Sequence, residues 1–128
     1  MSRGFVSTPM VSLAANRFNC QIGVVLTASH NPPSYNGYKL KADFGGPLAP
    51  AHVQEVEDLI PDHCSFDYSA IDLDLNIQEG NLIVDDIETM YVDHVKNNFD
   101  LEAIQTSNLN LIYDAMYGAG QRLSLIHI

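Results

Sequence analysis

The sequence predicts an α/β fold. Helical-period segments alternate with short, β-branched apolar runs, as in chains that lay helices on a sheet. The 128 residues are 46% hydrophobic and 17% charged, the size and apolar share of one ordinary domain with a core. No repeat of fixed period interrupts that pattern, and Leu, Ile, Val and Phe are too plentiful for a disordered chain.

Taken in order, Thr8-Pro9 opens the first helix, with Thr8 as N-cap and Pro9 at the first helical position. Met10, Leu13, Ala14 and Phe18 then fall on one helical face. Ile22–Thr27 reads as a strand buried on both sides. Residues 28–37 break the pattern with two prolines, two asparagines, two serines and a glycine. Tyr38–Lys41 alternates as a half-exposed strand, and Gly45-Gly46-Pro47 is a turn. A helix after Pro50 puts Val53, Val56, Leu59 and Ile60 on one face and stops at Pro61.

Residues 62–80 are acidic and irregular, with Ile71, Leu73, Leu75 and Ile77 alternating like an edge strand. Leu82-Ile83-Val84 is a short apolar run before a helix over about 87–105 that carries Ile87, Met90, Tyr91, Val95 and Phe99. Leu109–Asp114 reads as a further strand, followed by a turn at Gly118-Ala119-Gly120. The helix from residue 87 links two sheet-containing units, residues 1–86 and 87–128.

Charge and composition exclude several classes. The net charge of −10 argues against a nucleic-acid partner, and no apolar run approaches the roughly 20 residues of a membrane span. Residues 1–5 lack the apolar segment of a secretory signal, and Cys20 and Cys64 make no disulfide framework, so a reducing cytoplasm is the expected compartment. The charge is also segregated. Residues 1–42 hold Arg3, Arg17, Lys39 and Lys41 and no carboxylate, whereas all 16 acidic residues follow from Asp43 onward. That first third attracts an anion that the whole chain repels.

The chemistry concentrates in Thr27-Ala28-Ser29-His30-Asn31-Pro32-Pro33, continued by Asn36-Gly37-Tyr38-Lys39. A buried strand delivers Ser29 to a sheet end, where open α/β folds place ligands. Pro32 and Pro33 stiffen the loop, and Asn36-Gly37 reverses the chain so that Lys39 returns toward Ser29. A serine-hydrolase reading fails, because Gly-x-Ser-x-Gly is absent and the adjacent side chains of Ser29 and His30 are expected to diverge. Glycine-rich phosphate loops are absent too, and His52, His63 and Cys64 lack zinc spacing.

These residues closely resemble the phosphoserine loop of the α-D-phosphohexomutase superfamily, in its phosphoglucomutase/phosphomannomutase branch. Ser7-Thr8-Pro9 resembles the family's Thr-Pro helix start, and Asp114–Gly120 resembles the opening of its second domain. The resemblance implies a mixed-sheet α/β/α first domain, incomplete here, over residues 1–86. Residues 87–128 then hold the linker helix and the first strand of a second, similar domain. It also implies a fragment, with the first domain's opening cut away before Met1 and a tail from Leu123 that departs from the family pattern.

The implied activity interconverts hexose 1-phosphate and hexose 6-phosphate through a bisphosphorylated sugar. Ser29, His30 and Lys39 take the catalytic positions: Ser29 carries the phosphoryl group, and His30 and Lys39 serve proton transfer. His30, Asn31 and Lys39 take the substrate-binding ones, although Asn31 also reads as a structural residue that fixes the backbone around Pro32. Lys39 acts as a base only if burial or a neighbouring cation such as Lys41 makes its ammonium give up a proton near neutrality. A phosphoserine adds about −1.5 to −2 charge, which a carboxylate-free loop suits.

Mg²⁺ is the implied cofactor, bound through the Ser29 phosphate and three aspartates of a loop that this sequence lacks; hexose 1,6-bisphosphate is the implied activator. The implied partners are a hexose phosphate and the remaining domains of a longer parent, with neither nucleic acid nor membrane. The rival expectation is a sugar-phosphate-binding or regulatory remnant without turnover. A piece ending inside a second sheet is expected to leave Leu111, Ile112 and Leu125 poorly covered.

Overall fold

The first residues of the chain pair with residues far along it. In the computed structural model, which describes residues 1–126 and side chains through Leu123, the Met1 ammonium donates to Ile83 O at 2.8 Å. Ser2 forms a parallel bridge with Asp85, closed by Asp85 N–H on Met1 O at 2.9 Å and Arg3 N–H on Asp85 O at 3.0 Å. The apolar run at 82–84 thus leads into a single bridge and not into a strand.

Helix α1 (Thr8–Arg17) follows. Its N-cap is Ser7, one residue earlier than expected, so Thr8 is the first helical residue and Pro9 the second. Pro9 still sits in the first turn, where a missing N–H leaves no bond unmade. Met10, Ala14 and Ala15 are the buried positions, whereas Phe18 is 49% exposed. The buried stripe turns toward the alanines because small side chains let a strand approach: a Cβ on Gly23 would lie 3.3 Å from Ala15 Cβ.

That strand is β1 (Ile22–Thr27), paired antiparallel with β2 (Gly37–Ala42), Ile22 opposite Ala42 and Thr27 opposite Gly37. Among the described residues this pair is the whole sheet, in place of the mixed sheet expected. The parallel pairing found among the described residues is the isolated Ser2–Asp85 bridge, outside that sheet. Gly23 and Val25 are buried while Ile22, Val24 and Leu26 are exposed, so β1 is covered on one face and not on both. A strand buried on both faces needs a layer on each side, and α1 supplies one.

Helix α2 (Pro50–Glu57) ends short of Pro61, leaving Leu59 and Ile60 beyond it and exposed. None of its residues is buried. Residues 68–78 form a 3₁₀ turn (Tyr68–Ala70) and helix α3 (Leu73–Gln78) where an edge strand was expected. Two aspartates decide that outcome: Asp67 accepts Ser69 N–H at 2.9 Å, and Asp72 caps α3 by accepting Leu75 N–H at 3.0 Å.

Helix α4 (Ile87–Asn98) is capped by Asp86, which accepts Thr89 N–H at 3.0 Å. Ile87 joins Met10 and Ala14 in the core cluster, flanked by Val6, Val11, Met90, Tyr91 and Leu123. The helix expected to run to 105 breaks at Phe99, whose backbone is extended, because Asp100 caps a new helix, α5 (Leu101–Gln105). Leu109–Asp114, expected as a strand, has no ladder partner among the described residues and is irregular. Leu111 is 74% and Ile112 101% exposed, as the sequence suggested, while the side chain of Leu125 lies outside the described ones. Helix α6 (Gln121–Ile126) carries Arg122, whose guanidinium pairs with Glu88 and donates to Phe5 O at 3.2 Å.

Exposed apolar surface is therefore extensive. The accessible area is 10,408 Å², against about 6,700 Å² for a compact protein of 14.1 kDa. With so thin a core, Met10→Ala should destabilise the chain by about 2–4 kcal/mol and Phe5→Ala by under about 0.5, measured by urea unfolding. A second prediction concerns Cys64, whose thiol is held below its ordinary range by the Tyr68 hydroxyl at 3.0 Å and a backbone hydrogen bond at Phe66. Alkylation should be faster at Cys64 than at Cys20, and Tyr68→Phe should move the Cys64 rate profile to higher pH.

Candidate functional site

Two adjacent strands of a hairpin fix the ends of the loop that carries Ser29. Thr27 closes β1 opposite Gly37, which opens β2, and residues 28–36 connect them. The chain reverses through two turns, Asn31 N–H on Ala28 O and Tyr35 N–H on Pro32 O, each at 2.9 Å. Pro32 and Pro33 fall at the second turn, where a fixed φ helps. Asn36-Gly37, read from sequence as the reversal itself, instead leads straight into β2. Its glycine is needed for clearance: a Cβ at Gly37 would sit 2.8 Å from Thr27 O.

Ser29 is exposed and holds a left-handed backbone, φ 54°. Its N–H donates to Thr27 Oγ1 at 3.0 Å. The hydroxyl Oγ lies 3.2 Å from His30 Nδ1, so these neighbours converge, contrary to the divergence expected of an extended loop. The left-handed residue accounts for the difference, since it turns successive side chains out of the alternation of an extended chain. Asn31 contributes its backbone N–H to the first turn and is exposed.

Lys39 is also exposed and stands opposite Val25, two pairs in from the Thr27–Gly37 end of the hairpin, beyond which Ser29 lies. The structure thus brings Ser29 and His30 into contact and carries Lys39 on β2, two residues past Gly37. There Lys39 and Lys41 line a groove of about 660 Å³ with Tyr38, Leu40, Val53 and Val56. Among the described residues, no group of three or more His, Cys, Asp or Glu side chains is placed to hold a metal ion. No helix among them is long and apolar enough to cross a membrane.

Thr27 is the site residue to which sequence reasoning gave no role. A Thr two residues before a turn residue is a known local acceptor for its N–H, and that spacing was the available signal. The arrangement offers an accessible hydroxyl, an imidazole nitrogen within reach, and a surrounding segment free of carboxylates. Such a set can hold and pass on an anionic group.

Comparison with known proteins bears on this loop. The family profile described as phosphoglucomutase/phosphomannomutase, alpha/beta/alpha domain I, matches residues 1–64. A phosphoglucomutase/phosphomannomutase of Thermococcus kodakarensis is 37% identical over 117 residues, 91% of this chain and 24% of that protein. A phosphoglucosamine mutase of Maricaulis maris is 36% identical over 121 residues, 94% of this chain and 26% of that protein. A crystal structure from Thermus thermophilus, assigned as a phosphomannomutase, superposes with a TM-score of 0.80 at 32% identity. The match covers 98% of this chain and 27% of that one. The chain thus spans about a quarter of the length of the relatives it matches.

The hairpin geometry has a direct consequence for Gly37. Gly37→Val should cost about 1–3 kcal/mol of stability, because the new side chain meets the Thr27 carbonyl. Thermal unfolding of the variant beside the parent measures it.

Proposed function

Because this chain belongs to the phosphoglucomutase/phosphomannomutase family, we propose that its parent protein interconverts hexose 1-phosphate and hexose 6-phosphate by way of a phosphoryl group on Ser29. The observation that carries this reading is the exposed Ser29 hydroxyl, held in a strained backbone at the tip of β1 with His30 Nδ1 at 3.2 Å. Left-handed residues other than glycine cluster at functional sites, where the surroundings hold them in place. The relatives' names differ in the sugar, so the substrate is proposed as a class, a hexose phosphate.

In this mechanism the phosphoryl group passes from Ser29 Oγ to a free hydroxyl of the sugar phosphate. The Oγ–P bond breaks as the new O–P bond forms, and the sugar's hydroxyl proton goes to a base. The bisphosphorylated sugar then turns and returns its other phosphate to Ser29. Transfer of this kind depends on placement and charge neutralisation more than on covalent help. His30, beside Oγ, is the group for holding or moving a proton there. His30, Asn31 and Lys39 are assigned to the substrate, and Lys39 on β2 is assigned with His30 to proton transfer.

Mg²⁺ belongs to the proposal only through the parent. A phosphate on Ser29 offers oxygens to such an ion, but a hard cation needs several more ligands, and the described residues hold no carboxylate cluster to supply them. Those ligands, and the domains that close over the sugar, are assigned to the rest of the parent chain. This chain alone is accordingly expected not to turn over. The division near residue 86 into a first domain and the start of a second belongs to the same reading. So does a cytoplasmic setting, consistent with two unpaired cysteines.

Intact-mass measurement of the full-length parent after exposure to glucose 1,6-bisphosphate tests the assignment. One phosphate should appear on the wild type and none on Ser29→Ala. An adduct that persists in Ser29→Ala assigns the phosphate to another residue and removes the basis of the reading.

A further inference from the structure

We propose that Thr27 is a positioning residue for phosphoryl transfer, its side-chain oxygen holding Ser29 in the one backbone conformation that faces Oγ toward His30; the inference rests on the phosphoserine reading of Ser29. A left-handed conformation at a residue with a Cβ costs roughly 1–2 kcal/mol, so Ser29 at φ 54° needs an opposing restraint. The structure supplies two. Asn31 N–H closes a turn onto Ala28 O at 2.9 Å, and Ser29 N–H itself donates to Thr27 Oγ1 at 3.0 Å.

Thr27 is well placed to act as an anchor. It is half-buried at the end of β1, whereas Ser29 and His30 are exposed. Its β-branched side chain has few χ1 choices. Its backbone is locked by pairing with Gly37, which the Thr27 carbonyl approaches so closely that a Cβ at 37 would lie 2.8 Å away. The rigid sheet end therefore carries an acceptor aimed back at the loop, and the loop carries the reacting hydroxyl. Without that acceptor, Ser29 gains by relaxing to negative φ, and Oγ then leaves the 3.2 Å position beside His30 Nδ1. Thr27 touches the Ser29 backbone and not its hydroxyl, so its contribution is placement.

The test uses the full-length parent with glucose 1,6-bisphosphate as phosphoryl donor. The single-turnover rate of phosphate appearance on Ser29 is followed by intact mass for the wild type, Thr27→Val and Thr27→Ser. Thr27→Val should slow transfer about tenfold with an unchanged half-saturating donor concentration, and Thr27→Ser, which restores the acceptor, should return to within about twofold of wild type. Thr27→Ala provides a second hydroxyl-free variant should the valine impair folding, and its rate should match that of Thr27→Val. A hydroxyl-free variant as fast as wild type, or a Thr27→Ser variant as slow as the valine, overturns the role of Thr27 and leaves the phosphoserine untouched. A wild type that takes up no phosphate on Ser29 overturns both.

Discussion

Helix α1 lies between the hairpin and α4, and each of those elements finds its cover on it. Met10 is fully buried there, with Ala14 and Ile87 completing the cluster. On the adjoining side Ala15 meets the backbone of β1 at Gly23, so the hairpin rests on the helix at close range. Apolar area removed from water at this contact is worth roughly 25 cal/mol per Å². Elsewhere the chain buries little, with α2, α3 and α5 contributing no buried residue. The hairpin's registration, and with it the loop of Ser29, depends on that one helix staying docked.

The site follows from this division of labour. A paired, half-buried strand end fixes Thr27 and Gly37, while Ser29–Asn36 between them are exposed and free to meet a ligand. Rigid scaffold and accessible loop are the usual partition of a functional site. Electrostatics adds to it, because the first 42 residues, the segment that includes the loop, carry four positive charges and no carboxylate. Acidity is confined to the later part of the chain. A phosphate arriving at Ser29 therefore meets no carboxylate from its own segment.

Much of this was legible in the sequence, for physical reasons that differ by element. The helix at 8–17 and the hairpin at 22–42 announce themselves through period, β-branching and proline placement, and α4 through its spacing of apolar residues. Local capping was harder to weigh. Asp72 and Asp100 each start a helix where apolar alternation or apolar continuity suggested otherwise, because one accepted N–H outweighs a weak periodic signal. The run 109–114 has strand composition, yet strands exist only as pairs, and no partner lies beside it among the described residues. At the site, Ser29 and His30 stood out by type, but their contact did not, since nothing in residue identity reveals a positive φ at a serine.

The clamp between Arg122, Glu88 and Phe5 carries a thermodynamic implication. Its longest link joins residues 117 positions apart. Closing a ring of that size costs about 4 kcal/mol of chain entropy, more than an ion pair whose guanidinium stands in water can return. The guanidinium therefore cannot draw the two ends of the chain together unaided. It records that α4 has already docked, behaving as a seal set on a closure made by others.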